Sequence, residues 1–375
     1  MESCISCKPL GFGCMRLPML ENGEVDHAQF CQMVDLFLER GFTYFDTAWM
    51  YCGYQSESAV KPALTDRYPR DSYTLTTKLH ADYIHSFEDR DKIFKAQLEK
   101  TGVDYFDYYL IHDVGPLHNQ VYEQYDCYNW LREKKEQGLV RHMGFSFHDT
   151  AEFLDKVLTA HPEMEFVQLQ LNYLDWDSEG VQSRKCYEVA VKHGKPVIVM
   201  EPVKGGTLAK LPEEAEKLFK AYAPDRSIPS WAIRFAASLD NVFMVLSGMS
   251  SLEQMDDNTA TMQDFKPLNG EEQAIIRQTV DIINRSIAIP CTGCSYCTDG
   301  CPMNIAIPKY FSLYNLDMQE SREKEWTSQG GYYDNYEGKF GMAGDCIKCG
   351  QCEHICPQHL PIRKYLEDVA AHFGK

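Results

Sequence analysis

A chain of 375 residues is long enough to bury one large barrel plus a small appended module, or two mid-sized domains. Its formal net charge of -18 makes a surface that repels phosphate backbones and anionic membranes, so neither a nucleic acid nor a membrane is expected as a partner. No apolar run approaches the ~20 residues of a spanning helix, and the N-terminus lacks a secretory layout, which makes the cytoplasm the expected location.

From residue 1 to 285, short β-branched and aromatic runs alternate with amphipathic helical stretches, the mark of βα units around a parallel sheet. Strands are expected at 10–15, 43–46, 73–78, 106–111, 141–146, 166–171, 196–200 and 242–247. A helix is expected over 26–40, with Phe30, Val34, Phe37 and Leu38 on one face and Gly41 as its stop. Eight such units predict a closed (β/α)8 TIM barrel, an α/β fold. The competing open doubly wound sheet would need G-x-G-x-x-G after its first strand, whereas Gly11-Phe12-Gly13 continues as Cys14-Met15-Arg16.

Chemistry in such barrels sits at the C-terminal strand ends. Asp46, Lys78 and His112 end or follow the second, third and fourth strands, and Tyr51 lies in the loop after Asp46. Singly, each has a bland role: a turn cap, a solvated amine, a satisfied core histidine, a packed ring. Together they make a catalytic group, in which Lys78 lowers the phenol pKa, Asp46 holds Lys78, His112 binds the substrate oxygen and Tyr51 is the general acid for a carbonyl accepting hydride. Trp49, Tyr54, His80, Asp113 and His148 are expected in the substrate pocket, whose carbonyl compound the residues do not name.

The stretches Phe45-Asp46-Thr47-Ala48-Trp49-Met50-Tyr51, Thr77-Lys78 and Leu110-Ile111-His112 resemble the aldo-keto reductase family over roughly the first three quarters of the chain. The resemblance implies NADP or NAD bound in extended form across the barrel mouth. Ser146 and Gln168 would contact its carboxamide, and Glu201, Pro202, Val203, Lys204, Gly205 and Gly206 would lie along the pyrophosphate. Gly248, Ser250, Gln254, Asp257 and Asn258 would grip the adenosine end. Phe147 departs from the asparagine usual after the serine. No Arg or Lys stands near Gly248 and Gln254, so preference between the two cofactors is not readable, with Lys204 left to supply charge. Against that family pattern, the hairpin that usually precedes the first strand is expected to be missing or shortened.

Fifteen cysteines without an export signal are expected as metal ligands or reduced thiols. Cys291, Cys294, Cys297 and Cys301 precede Pro302, and Cys346, Cys349, Cys352 and Cys356 precede Pro357. This C-x2-C-x2-C-x3-C-P run is the bacterial ferredoxin ligand pattern, in which the fourth cysteine serves the other cluster. That pattern assigns Cys291, Cys294, Cys297 and Cys356 to one 4Fe-4S cluster and Cys346, Cys349, Cys352 and Cys301 to a second. Paired zinc sites would use the same C-x2-C pairs, but two complete runs disfavour them. The long spacer and a helix expected over 307–316 point to a small α-helical ferredoxin-like domain over 286–375. With it, the whole chain resembles the bacterial and archaeal aldo-keto reductase branch that carries a C-terminal ferredoxin domain.

Cys4 and Cys7 form a lone C-x2-C, and Cys52 is the remaining thiol marked for reactivity. Tyr332, Tyr333 and Tyr336 lie in a polar stretch read as a partner surface or an ordered insert. Three readings stay open, in this order: an NAD(P)H-dependent carbonyl reductase; a ferredoxin-linked oxidoreductase exchanging single electrons with a partner, for which a flavin is not excluded; and clusters serving as a structural or oxygen-sensing docking element.

Overall fold

The computed structural model describes residues 9–177, 181–285, 288–291, 293, 295, 297–298, 300–319, 328–334, 336–356 and 359–374. The expectations placed on Cys4, Cys7, Cys294 and Pro357 lie outside these residues. The described residues form two compact units, one up to Val280 and the other from Asp281 onward.

The first unit is a closed barrel in which each strand pairs with the next and the last returns to the first. Its parallel strands are β1 (Leu10–Gly13), β2 (Tyr44–Asp46), β3 (Thr74–His80), β4 (Phe106–Val114), β5 (Val140–Phe147), β6 (Phe166–Gln170), β7 (Val197–Met200) and β8 (Val242–Gly248). The first helix, His27–Glu39, starts at Asp26, whose carboxylate accepts the Gln29 amide at 3.0 Å, and buries Phe30, Met33, Val34 and Phe37. Outward-facing Phe12 and Phe45 meet Phe37 with ring centroids 5.8 and 5.2 Å apart, welding this helix to the sheet.

Alternation along the strands sorts the barrel interior. Tyr44, Tyr108, Leu110, Phe166, Ile198, Met244 and Leu246 form its apolar filling. One step nearer the C-terminal mouth, the inward positions become Asp46, Lys78, His112 and Gln168, so the same strands that plug the barrel deliver its polar groups. β3 and β4 run past their expected ends because pairing continues through Lys78↔Leu110, Leu79↔Ile111 and His80↔His112. Leu79 and Ile111 keep filling the outer apolar layer, so the polar residues between them are inward turns of the pleat rather than strand ends. Gly144 of β5 allows close approach within the barrel: a Cβ there would lie 2.5 Å from the Phe166 carbonyl oxygen.

The second unit is helical, with Ile307–Gln319, Ser328–Asp334, Gln351–Ile355 and Ile362–Phe373. Tyr310, Phe311, Ile362, Leu366 and Val369 belong to its core. Tyr333 is buried there with its ring 4.6 Å from Phe373, so it is core and not partner surface. Asn315 clamps the segment leading into the first cysteine run, accepting from the Ile289 amide at 2.8 Å and donating to its carbonyl at 2.7 Å. No helix among the described residues is long and apolar enough to cross a membrane.

Candidate active site and cysteine cavity

Lys78 is fully buried, and its Nζ donates to Asp46 Oδ1 at 2.6 Å, to the Thr47 carbonyl at 2.8 Å and to Tyr51 Oη at 3.2 Å. Behind the strand, Gln97 Nε2 donates to the Lys78 carbonyl at 2.9 Å and to Glu57 at 2.8 Å, while Thr77 donates to the same Glu57 oxygen at 2.7 Å. This buried network, invisible in the linear pattern, holds the lysine's backbone in place. Beyond Tyr51, Cys52, Gly53 and Tyr54 all take left-handed φ angles, a tight loop that holds the tyrosine over the barrel mouth.

Burial alone would discharge Lys78, but the Asp46 carboxylate and the Tyr51 oxygen hold its pKa above the ordinary value. Burial pushes the Tyr51 phenol up although Lys78 pulls it down. The expected net lowering by Lys78 is therefore corrected: desolvation wins, and the phenol keeps its proton at neutral pH. Burial and then the nearby Lys78 charge push His112 well below its usual range, so its imidazole is neutral. The His112 ring stands edge-on to Tyr51, with centroids 6.0 Å apart, and its buried Nδ1 has no hydrogen-bond partner among the described residues. β4 shifts register between Ile111 and Val114, where Asp113 has a φ of 53°. Such strained backbone next to a polar cluster is typical of functional sites.

A cleft opens beside this group. It is lined by Asp46 and Tyr51 and by Gln168, Glu201, Pro202, Val203, Gly205, Gly206, Gly248, Ser250, Gln254, Asp257 and Asn258. Ser146 and Lys204 are not among its lining residues. Ser146 Oγ accepts the Asp113 amide at 2.8 Å, and Lys204 Nζ donates to Asp175 at 2.5 Å, so its charge is already matched. Arg16, which the sequence reading passed over, is the only cationic side chain among the described lining residues. It reaches Glu201 at 3.4 Å, and its carbonyl accepts from Ser250 Oγ at 2.8 Å. Its position in the loop after β1, on the mouth side, is the signal that would have found it. Phe147 is buried against Phe145 and Phe153, so it serves the barrel wall.

The cleft fits a dinucleotide with a carboxamide at one end. Gln168 Oε1 is a buried acceptor without a partner among the described residues, suited to an amide donor. Gly205 and Gly206, at φ 63° and 102°, take left-handed backbone that favours glycine, and Gly206 has no atom within 4 Å of where a Cβ would stand. Of the pocket residues expected from sequence, His80 packs edge-on to His112 at 5.2 Å between centroids, and Trp49 stacks under Lys100, whose Nζ lies 3.4 Å from the ring centroid. Cys52 donates to the Met15 carbonyl at 3.2 Å, and burial pushes its thiol up, the opposite of an activated thiolate.

In the second unit, Cys301, Cys346, Cys349 and Cys352 line a single small cavity. The last thiol of the first run thus meets the first three of the second. Cys301 Sγ accepts the Ile305 amide at 3.4 Å, and Cys291 Sγ accepts the Gly293 amide at 3.5 Å. Amide donors of this kind stabilise thiolate charge and suit a thiolate-ligated iron-sulfur cluster.

Comparison with known proteins agrees with both units. The model of the Aldo/keto reductase family matches residues 9–281, and that of the 4Fe-4S dicluster domain matches residues 290–360. An aldo-keto reductase of Mycolicibacterium vanbaalenii is 32% identical over 239 residues, covering 63% of this chain and 78% of that protein. Among solved structures, the aldo-keto reductase AKR11C1 from Bacillus halodurans, in its holo form, superposes with a TM-score of 0.58 at 25% identity, covering 72% of this chain and 91% of that one. An aldo-keto reductase from Klebsiella pneumoniae in complex with NADPH gives a TM-score of 0.59 at 19% identity, with 72% and 90% covered.

Proposed function

The chain belongs to the aldo/keto reductase family, and on that premise we propose that it reduces a small aldehyde, ketone or sugar carbonyl with NADPH or NADH, with Tyr51 as the general acid. The observation that carries this reading is the buried Lys78, 2.6 Å from Asp46 and 3.2 Å from the Tyr51 phenol. When bound, the reduced nicotinamide supplies the hydride. Gln168 offers its unpaired oxygen to the carboxamide, and the segment from Glu201 to Gly206, open at Gly206, would lie along the pyrophosphate. Arg16 supplies positive charge toward the phosphates.

A neutral phenol is the form an acid catalyst needs before the reaction. As negative charge develops on the carbonyl oxygen, Tyr51 gives up its proton, and Lys78 stabilises the phenolate left behind. Asp46 keeps Lys78 charged and oriented. His112, neutral and next to Tyr51, donates a hydrogen bond to the same oxygen, orienting the carbonyl without competing for the proton.

The second unit would hold two 4Fe-4S clusters, one on Cys291, Cys294, Cys297 and Cys356, the other on Cys301, Cys346, Cys349 and Cys352. The shared cavity of the latter four thiols supports this crossed assignment. When bound, such clusters supply one-electron transfer, which carbonyl reduction by hydride does not require.

The test is Tyr51→Phe in the anaerobically prepared holoenzyme. Carbonyl turnover is expected to fall by about 10²- to 10⁴-fold, while NADPH binding by fluorescence titration changes less than about threefold, since the lost hydroxyl is spent on the transition state. Retained turnover in this variant overturns the assignment.

A further inference from the structure

At the rim of the barrel mouth, His80, Asp82 and His118 bring three metal-ligating atoms within 4.8 Å of one another. The Asp82 carboxylate oxygens lie 3.6 Å from His80 Nδ1 and 3.7 Å from His118 Nε2. The His118 Nδ1 atom is 2.9 Å from the Asp113 carbonyl oxygen, which only accepts, so Nδ1 carries the ring proton and Nε2 presents a lone pair. The Asp113 carboxylate also stands 3.4 Å from His118 Nδ1, adding negative charge on that side. His80 Nδ1 accepts the Asp82 amide at 3.2 Å, so this nitrogen too carries a lone pair toward the Asp82 loop.

Three acceptors therefore converge on one point. The two Asp82–histidine separations, 3.6 and 3.7 Å, exceed the ~3.2 Å of a hydrogen bond and approach the ~3.4 Å between two ligands held on tetrahedral bonds of about 2.1 Å, and all three ligand atoms lie within 4.8 Å of one another. The backbone carbonyl behind His118 fixes the ring and its tautomer, as the outer partners of metal-bound histidines do. β3 and the strained turn at Asp113 position two of these ligands, so the arrangement is built by the fold and is more than an acidic cluster on the surface.

We propose that His80, Asp82 and His118 bind one divalent transition-metal ion of the zinc type, beside His112. Two nitrogens and one carboxylate form a three-ligand set of the kind that leaves a coordination position open. The ion would take the His80 lone pair now shared with the Asp82 amide. The claim concerns binding and stands whether or not Tyr51 proves to be the acid.

The test equilibrates the cluster-loaded protein, without oxygen, against zinc sulfate by dialysis and counts zinc and iron per chain by mass spectrometry, alongside Asp82→Asn and His118→Ala. Both substitutions lie at partly or largely exposed side chains, so equal iron content and equal thermal unfolding report intact folding. The proposal expects one zinc per wild-type chain with iron unchanged, and at least about tenfold weaker zinc binding in each variant. Failure of the wild type to retain zinc, or equal zinc in wild type and both variants, overturns it.

Discussion

Replacing Lys78 by methionine keeps the volume of the side chain and removes only its charge and donors. The lysine is 0% and Asp46 2% exposed, and Asp46 Oδ2 already lacks a hydrogen-bond partner among the described residues. Without Lys78 both carboxylate oxygens are bare in the barrel interior, and breaking a buried ion pair from one side costs about 3–5 kcal/mol. Burial raises the Asp46 pKa, and Lys78 is the group that opposes it. In Lys78→Met the folded value therefore stands above the unfolded ~3.9. The penalty from an uncompensated carboxylate is absent below the unfolded value, grows as pH rises through the folded one, and then levels off. Urea unfolding, followed by the fluorescence of barrel tryptophans such as Trp130 and Trp231, measures it. A loss of about 3–5 kcal/mol near neutral pH is expected, with substantial recovery in Asp46→Asn/Lys78→Met, because the double change removes the stranded charge. A single variant within about 1 kcal/mol of the wild type would refute the buried-pair account.

Arg16→Ala should raise KM for NADPH and for NADH alike by about tenfold, because Arg16 stands against Glu201 in the stretch proposed to lie along the pyrophosphate that both cofactors share; an unchanged KM for both would show that Arg16 does not meet the phosphates. Burial alone would raise the Glu165 carboxyl, but His142, Lys135 and the Met143 amide bring it down to about 2. Its stabilising contribution is thus complete above the unfolded ~4.3 and fades as pH falls toward 2. Glu165→Gln should cost about 1–2 kcal/mol at neutral pH, and the gap to wild type should narrow in acid; a gap independent of pH contradicts this.

The barrel was legible because each strand is a short run of β-branched or aromatic residues between helices with one apolar face. Asp46, Lys78 and His112 were legible for a related reason, since polar residues interrupt such runs at the C-terminal end of consecutive strands, and Tyr51 was legible from the loop that follows Asp46. The pleat explains what was misjudged, since Lys78 and His112 are inward positions of strands that continue to His80 and Val114. Residues that act through tertiary neighbours left no such mark. Lys204 looked like a free charge until Asp175 was seen beside it, and Arg16 looked like a loop residue until β8 brought Gly248 and Ser250 next to it. The sign of the Tyr51 shift required knowing that burial outweighs the neighbouring ammonium. The meeting of Cys301 with Cys346, Cys349 and Cys352 likewise depends on the folded helices.

The most direct test of a hydride mechanism is to follow the label from NADPH deuterated at the transferring position of the nicotinamide, supplied to the holoenzyme without oxygen with a reducible aldehyde, while the visible absorbance of the clusters is recorded. Direct transfer beside Tyr51 predicts one deuterium on the new carbinol carbon per turnover and no change in cluster absorbance. Loss of the label to solvent, with the clusters bleaching and recovering during turnover, would contradict it and assign the reducing electrons to the cysteine-rich unit.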